Sequence, residues 1–165
     1  MVREKTVIHS DDDVNGIRAA ASATAEIRDE LCRRATPGMT TLALDHIAAE
    51  LCDKSGGKST FLNYRGFPRH ICISVDDVVV HGIGRAEQVL QTGAMLSMDV
   101  GIRLNGFVGD TATSVAVGHE TKEARHLFKV TWESLLAGIA AARAGNYVND
   151  IGKAVEAVVK KGSCS

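Results

Sequence analysis

The chain has 165 residues, 45% hydrophobic and 24% charged, with a formal net charge of −1. That length supports one domain with a core. The balanced charge offers no basic excess to hold phosphates, which excludes nucleic-acid binding on electrostatic grounds, and no apolar run reaches the roughly 18 residues of a membrane span. The N-terminal segment MVREKTVIHSDDD lacks the apolar stretch of a signal peptide. Cys32, Cys52, Cys72 and Cys164 form no C-x-x-C pair, so they are expected to be reduced thiols in a cytoplasmic protein.

Ser10 followed by three aspartates predicts a capped helix start, because acidic residues suit the positive end of the helix dipole. The helix is expected from about residue 11 to Arg34, with Ile17, Ala20, Ala21, Thr24, Ile27 and Leu31 on one stripe. Thr36-Pro37-Gly38 breaks it. A second helix runs from about Thr40 to Lys54, with Leu44, Ile47, Ala48, Leu51 and Cys52 inward, and ends at Ser55-Gly56-Gly57. Short strands are expected at roughly residues 58–62, 70–75 and 78–81, then a long hairpin over about residues 94–117. Further helices follow from about Lys122 to Arg143 and from about Val148 to Lys161. Trp132, in the middle of the third helix, is expected to pack in a core. His46 and Glu50, one helical turn apart, are expected to pair at the surface. His9, His46, His70, His119 and His126 show no metal-ligand spacing among themselves, and no H-E-x-x-H is present.

A faint repeat runs through this order. Shifted by about 107 positions, Gly38 meets Gly145, Leu44 meets Ile151, Ile47 meets Ala154 and Leu51 meets Val158, which keeps the amphipathic faces in phase. The first copy continues into strands; the second stops at Gly162-Ser163-Cys164-Ser165. The expected organisation is a single incomplete domain over residues 1–165. Residues 1–120 form a first α/β half, and residues 121–165 supply the helices of a truncated second half.

The chemistry centres on Asn105-Gly106, between MLSMDVGIRL and FVGDTATSVAVG. Asn-Gly between alternating segments predicts a type I′ hairpin, whose two central residues need positive φ. Leu104 then pairs with Phe107, and Asp110 falls opposite Gly101. Asp99, two residues from Gly101, shares its face. The carboxylates become diagonal neighbours about 5–8 Å apart. Leu96, Met98, Val100, Ile102 and Leu104 line the opposite face. Ser97, Gly101, Ala112, Ser114 and Ala116 leave space around the aspartates. Like charges so placed repel unless one is protonated or a cation lies between them, and a divalent cation suits the space. Two solvated aspartates on an exposed sheet face is the plain alternative.

Tyr64-Arg65-Gly66-Phe67-Pro68, Cys72-Ile73-Ser74, His81-Gly82-Ile83, Asp99 and Gly106-Phe107-Val108-Gly109-Asp110-Thr111 together resemble the type I methionine aminopeptidases. The intervals from His81 to Asp99 and from Asp99 to Asp110 match that family without a gap, and the likeness covers nearly the whole chain. It implies an α/β (α+β) pita-bread fold of the creatinase/aminopeptidase type, with the first half complete and the second truncated. It also implies removal of the N-terminal methionine from nascent proteins by metal-assisted hydrolysis. On this resemblance Asp99 chelates one of two divalent ions, Asp110 bridges both, and His81 contacts the substrate near the scissile peptide as the catalytic histidine. Tyr64, Phe67 and Cys72 line the pocket for the methionine side chain. The metals implied are manganese, iron, cobalt or zinc. The implied partners are methionyl peptides, including nascent chains at the ribosome, with no nucleic acid and no membrane.

The remaining ligands of that family, one histidine and two glutamates, have no counterpart before Ser165, so weak or no turnover is expected. Gly84 stands where the family has proline, and Phe61 where many members carry a smaller pocket residue. Two other readings stay open. One is a non-catalytic binding module or relic of the pita-bread family. The other is a prolidase-type relative, which usually carries an extra N-terminal domain. A complete protein is expected to be a monomer, and a truncated one to associate through its open face.

Overall fold

The computed structural model describes residues 10–164; His9 lies outside them. The chain falls into two compact units, one ending at Gly118 and one beginning at His119.

In the first unit, helix α1 (Asp11–Arg34) opens with the expected cap. Ser10 Oγ accepts from the Asp13 amide at 3.1 Å, and the Asp13 carboxylate accepts from the Ser10 amide at 3.0 Å, which closes a reciprocal capping box. Helix α2 (Thr41–Lys54) is capped by Thr40, whose hydroxyl accepts from the Ala43 amide. Four strands follow: β1 (Lys58–Ser59), β2 (Cys72–Val75), β3 (Met95–Leu104) and β4 (Phe107–Ala116), with a short 3-10 turn at Tyr64–Gly66.

β3 is the organising strand. β4 pairs antiparallel along one edge from Met95↔Ala116 to Leu104↔Phe107. β1 and β2 line up end to end along the other edge, also antiparallel, with Ser59↔Ile102 and Cys72↔Asp99. Asn105 and Gly106 both take positive φ, as the tight reversal requires. Alternation along β3 sends Leu96, Met98, Val100 and Ile102, all fully buried, into a core with Ile27, Leu31, Leu44, Ala48 and Cys52 from the two helices. Gly109 of β4 lies against the Ala20 carbonyl and the Thr24 side chain of α1. A β-carbon there has no room, and this close approach is why α1 crosses the hairpin at that point.

The expected strand at residues 78–81 does not form. Asp76 takes a left-handed φ of 52° and turns the chain, and its carboxylate accepts from the Met95 amide at 2.9 Å. Val79 and Val80 are left exposed at 86% and 63%. Their β-branched side chains favour a strand, but a strand also needs a partner edge. His46 and Glu50 form no ion pair; both are exposed. Cys52 is buried, Cys32 packs at the core margin, and no disulfide joins cysteines among the described residues.

The second unit is a helix pair, α3 (Lys122–Ala141) and α4 (Val148–Lys161). Gly138 lets α3 approach Val155 and Ile151 of α4. The residues of α3 that bury are Ala124, Val130, Ser134 and Gly138. Trp132 points away from that stripe and is 61% exposed, so it is not core packing. The two helix pairs match in outline. α2 and α4 each have 14 residues, and Gly38 and Gly145 take φ of 88° and 93° in the preceding breaks. Among the described residues no helix is long and apolar enough to cross a membrane.

Candidate metal centre

The site lies on the face of the sheet opposite α1 and α2. Because Leu96, Met98, Val100 and Ile102 point into the core, Ser97, Asp99 and Gly101 point the other way. Across the ladder Gly101 pairs with Asp110, Asp99 with Ala112, and Ser97 with Ser114. The two serine hydroxyls hydrogen-bond at 2.7 Å. Within the β3–β4 ladder the neighbours of the carboxylates on this face are small, as the alternation predicts.

Asp99 is half-buried, and its Oδ1 is buried with no hydrogen-bond partner. Burial and, next, the charge of Asp110 push its carboxyl from 3.8 up to about 6. A hydrogen bond to Asp110 adds to the rise, and the nearby His81 opposes it. Asp99 and Asp110 thus lie on the diagonal of one sheet face, close enough for the charge of one to act on the other. A buried acceptor without a donor is costly. Two neighbouring carboxylates, one with such an oxygen, suit a divalent cation, which would satisfy the acceptor and cancel the repulsion. Among the described residues, no cluster of three or more histidine, cysteine or acidic side chains surrounds this point.

His81 reaches the site by an unusual backbone. It takes a left-handed φ of 58°. The next residue, Gly82, accepts from the Ile73 amide at 2.9 Å and donates to Ser74 Oγ at 3.1 Å. The segment therefore lies along the free side of β2. Gly82 sits so close to the Ile73 carbonyl that a β-carbon would collide with it. A histidine within electrostatic reach of Asp99 is the result.

Cys72 stands opposite Asp99 in the β2–β3 ladder and is 5% exposed. Burial first, then the charges of Asp99 and Asp110, push its thiol up to about 11, so it stays protonated and inert at neutral pH. Cys72 thus stands beside Asp99 in the ladder and Asp110 lies on the diagonal from it, while His81 comes within electrostatic reach of Asp99 from the far side of β2. Tyr64 and Phe67 lie in the loop between β1 and β2. That loop is closed by hydrogen bonds from the Tyr64 amide to Phe61 O at 2.9 Å and from the Asn63 amide to Phe67 O at 2.8 Å. Tyr64 is 62% exposed, with the Arg65 guanidinium over its ring at 5.5 Å, and Phe67 is half-buried. The aromatic on the carboxylate face is Phe61, whose ring carbons lie 2.8 and 2.9 Å from where a β-carbon on Gly101 would stand.

Asp45 escaped the sequence reading. It is 2% exposed on the core side of α2. Its Oδ1 accepts from the amides of His70 and Ile71 at 2.8 and 3.1 Å, and Oδ2 lies 3.3 Å from His70 Nδ1. The available signal was a lone acid inside the apolar stripe Leu44, Ala48, Cys52.

The sequence and the fold are similar to those of known proteins. Residues 15–164 match metallopeptidase family M24. The chain is 36% identical over 154 residues to a methionine aminopeptidase of Clostridium acetobutylicum, covering 93% of this chain and 62% of that protein. To a methionine aminopeptidase of Treponema pallidum it is 38% identical over 161 residues, covering 98% and 61%. The crystal structure of methionine aminopeptidase from Rickettsia prowazekii superposes with a TM-score of 0.91 at 32% identity, over 94% of this chain and 62% of that one. An X-Pro aminopeptidase of Thermotoga maritima, 14% identical with a TM-score of 0.80, shares the fold. The chain spans about three-fifths of the length of the methionine aminopeptidases it matches. With its pita-bread architecture and its match over most of the sequence, the chain belongs to metallopeptidase family M24, a family of hydrolases that use divalent metal.

Proposed function

We propose that this chain carries the first part of a methionine aminopeptidase site, acting on peptides with an N-terminal methionine. The observation that carries the reading is the unpartnered, buried Oδ1 of Asp99 beside Asp110. On this reading Asp99 and Asp110 hold the divalent ions. When bound, such ions lower the pKa of water and polarise a carbonyl oxygen. His81, beside the carboxylates, hydrogen-bonds the substrate at the scissile peptide and supports charge developing on its oxygen. Cys72, kept as a neutral thiol, and Phe67 and Tyr64 offer apolar and polarisable surface to an unbranched thioether.

Two carboxylates supply fewer donors than manganese, iron, cobalt or zinc takes. The proposal is therefore of metal binding with slow turnover by these residues alone. The test is methionine release from a Met-Ala-Ser peptide in the presence of manganese or cobalt, with Asp99→Asn as control. Release that the substitution abolishes supports the reading; release that it leaves unchanged overturns it. Binding without turnover is a second reading, favoured by the absence of a third ligand among the described residues. It predicts that a cleavable methionyl peptide and its non-hydrolysable analogue are retained alike and that both are recovered intact. Cytoplasmic residence and action on chains emerging from the ribosome belong to the same proposal.

A further inference from the structure

α2 carries two buried polar side chains that a core-facing helix has no packing use for: Thr41, fully buried, and Asp45, 2% exposed. They are four residues apart and share one face. Each binds a different segment next to His81.

Asp45 takes the amides of His70 and Ile71, the entry to β2. Thr41 Oγ1 accepts from the Arg85 amide at 2.8 Å and lies 3.2 Å from both Arg85 O and Gln88 Oε1. Backbone bonds reinforce it. The Leu42 amide donates to Arg85 O at 3.1 Å, and the Thr41 amide to Gln88 O at 2.9 Å. Gly84 packs on the Thr41 carbonyl and the Asp45 β-carbon. Arg69 Nε donates to Gly84 O at 2.7 Å, which ties the two segments together.

Between these fastenings lies the contact that sets the histidine. Ile73 and Ser74 hold Gly82, and His81 precedes it in a left-handed conformation. A non-glycine residue there is strained and persists only where its surroundings fix it. On its other side the loop is held by the Val78 amide on Val75 O at 3.1 Å, and Val79 and Val80 are exposed.

From this we infer that Thr41 and Asp45 are positioning residues for His81: the first turns of α2 clamp β2 and the Gly84–Gln88 segment together and so fix where the histidine stands beside β2. The role of His81 rests on the aminopeptidase reading. The clamp itself is tested without turnover, so failure of one is distinguishable from failure of the other.

The experiment uses the whole isotope-labelled chain without added metal. It compares Thr41→Val, Thr41→Ser, Asp45→Ala and Asp45→Asn. Two readouts are followed: the ring resonances of His81, and amide exchange at Gly82 and Ile73 against Leu96 and Met98 in the core strand. Valine keeps the shape of threonine and loses the hydroxyl; serine restores it. Asparagine keeps one oxygen for the two amides; alanine keeps none.

Thr41→Val and Asp45→Ala are expected to move the His81 resonances and to raise exchange at Gly82 by about tenfold, the scale of one lost buried hydrogen bond, with little change at Leu96 and Met98. Thr41→Ser and Asp45→Asn are expected to stay near the parent. Unchanged His81 resonances in Thr41→Val overturn the inference. So does exchange that rises equally at Leu96 and Met98, since that is general loosening. If Asp45→Ala does not fold, the valine and serine pair at Thr41 decides it.

Discussion

Asp110 lies across the β3–β4 ladder from Gly101, so its carboxyl group meets that of Asp99 on the diagonal of one sheet face. Direct opposition would bring two charges closer; a one-residue slip would separate them onto opposite faces. The diagonal leaves a gap that a cation can fill.

The first consequence is a pH dependence. Asp99 has its carboxyl raised from 3.8 to about 6, by burial first and then by Asp110. The folded state therefore binds the proton more tightly than the unfolded state. The associated stability is fully present below about 4 and is lost as pH rises through about 6. In chelator, urea denaturation is expected to show stability falling across that window. Asp99→Asn removes this component. Asp110→Asn shifts its midpoint downward without abolishing it, because burial remains. A profile in Asp99→Asn that matches the parent contradicts the assignment.

Divalent metal is expected to reverse that trend. A cation between the carboxylates competes with the shared proton, so binding strengthens above pH 6 and fades below it. Manganese at a hundredfold excess over its Kd is expected to add about 2.7 kcal/mol to stability. Thermal melts with and without manganese, at pH 5 and pH 7.5, read this directly. Either aspartate changed to asparagine is expected to erase the gain at pH 7.5. A gain that survives both substitutions places the ion elsewhere.

The hairpin was legible because three independent signals agree there: Asn105-Gly106 for the turn, alternation for the face, and aspartate spacing for the site. Local chemistry decided each of them. The resemblance named His81, but the backbone that carries it was not legible. The preceding Val78, Val79 and Val80 read as a strand, whereas a left-handed residue and the contacts of Gly82 with Ile73 and Ser74 turn the segment back along β2 instead. Asp45 was hidden because its partners are 25 and 26 residues away. Trp132 misled because helical periodicity in α3 offers two apolar stripes. Gly138 and Ala124 chose the one with small residues for close packing, which left the tryptophan outside.

Phe61 and Gly101 are expected to be strongly coupled. The Thr60 hydroxyl and the Phe61 ring together occupy the space a side chain at 101 needs, directly across the ladder from Asp110. Gly101→Ala must push the ring aside, at an expected cost of about 1–3 kcal/mol. Phe61→Ala costs about 2 kcal/mol, roughly half the value for a fully buried phenylalanine, since this ring is half-buried. In the double variant the alanine at 101 still meets the Thr60 hydroxyl but no ring, so the cycle should show about 1 kcal/mol of non-additivity. Additive costs in urea denaturation would mean that the ring is not held against Gly101 in solution.

Glycine-to-alanine changes in the two units should have opposite signs. At Gly109 in β4, an added methyl meets the Ala20 carbonyl, which is helix backbone and cannot turn away. The substitution is expected to destabilise the first unit by about 3 kcal/mol, in the upper range for overpacking. At Gly152, inside α4, no atom lies within 4 Å of the added carbon. Alanine there relieves the helix of glycine's conformational entropy and is expected to stabilise α4 by about 0.5–1 kcal/mol. Amide exchange resolves the two units separately: Gly109→Ala should speed exchange in β3 and β4, and Gly152→Ala should slow it in α4. A destabilising Gly152→Ala would show that this face of α4 is covered in solution, because only a packed neighbour could turn an open helical glycine into a required one.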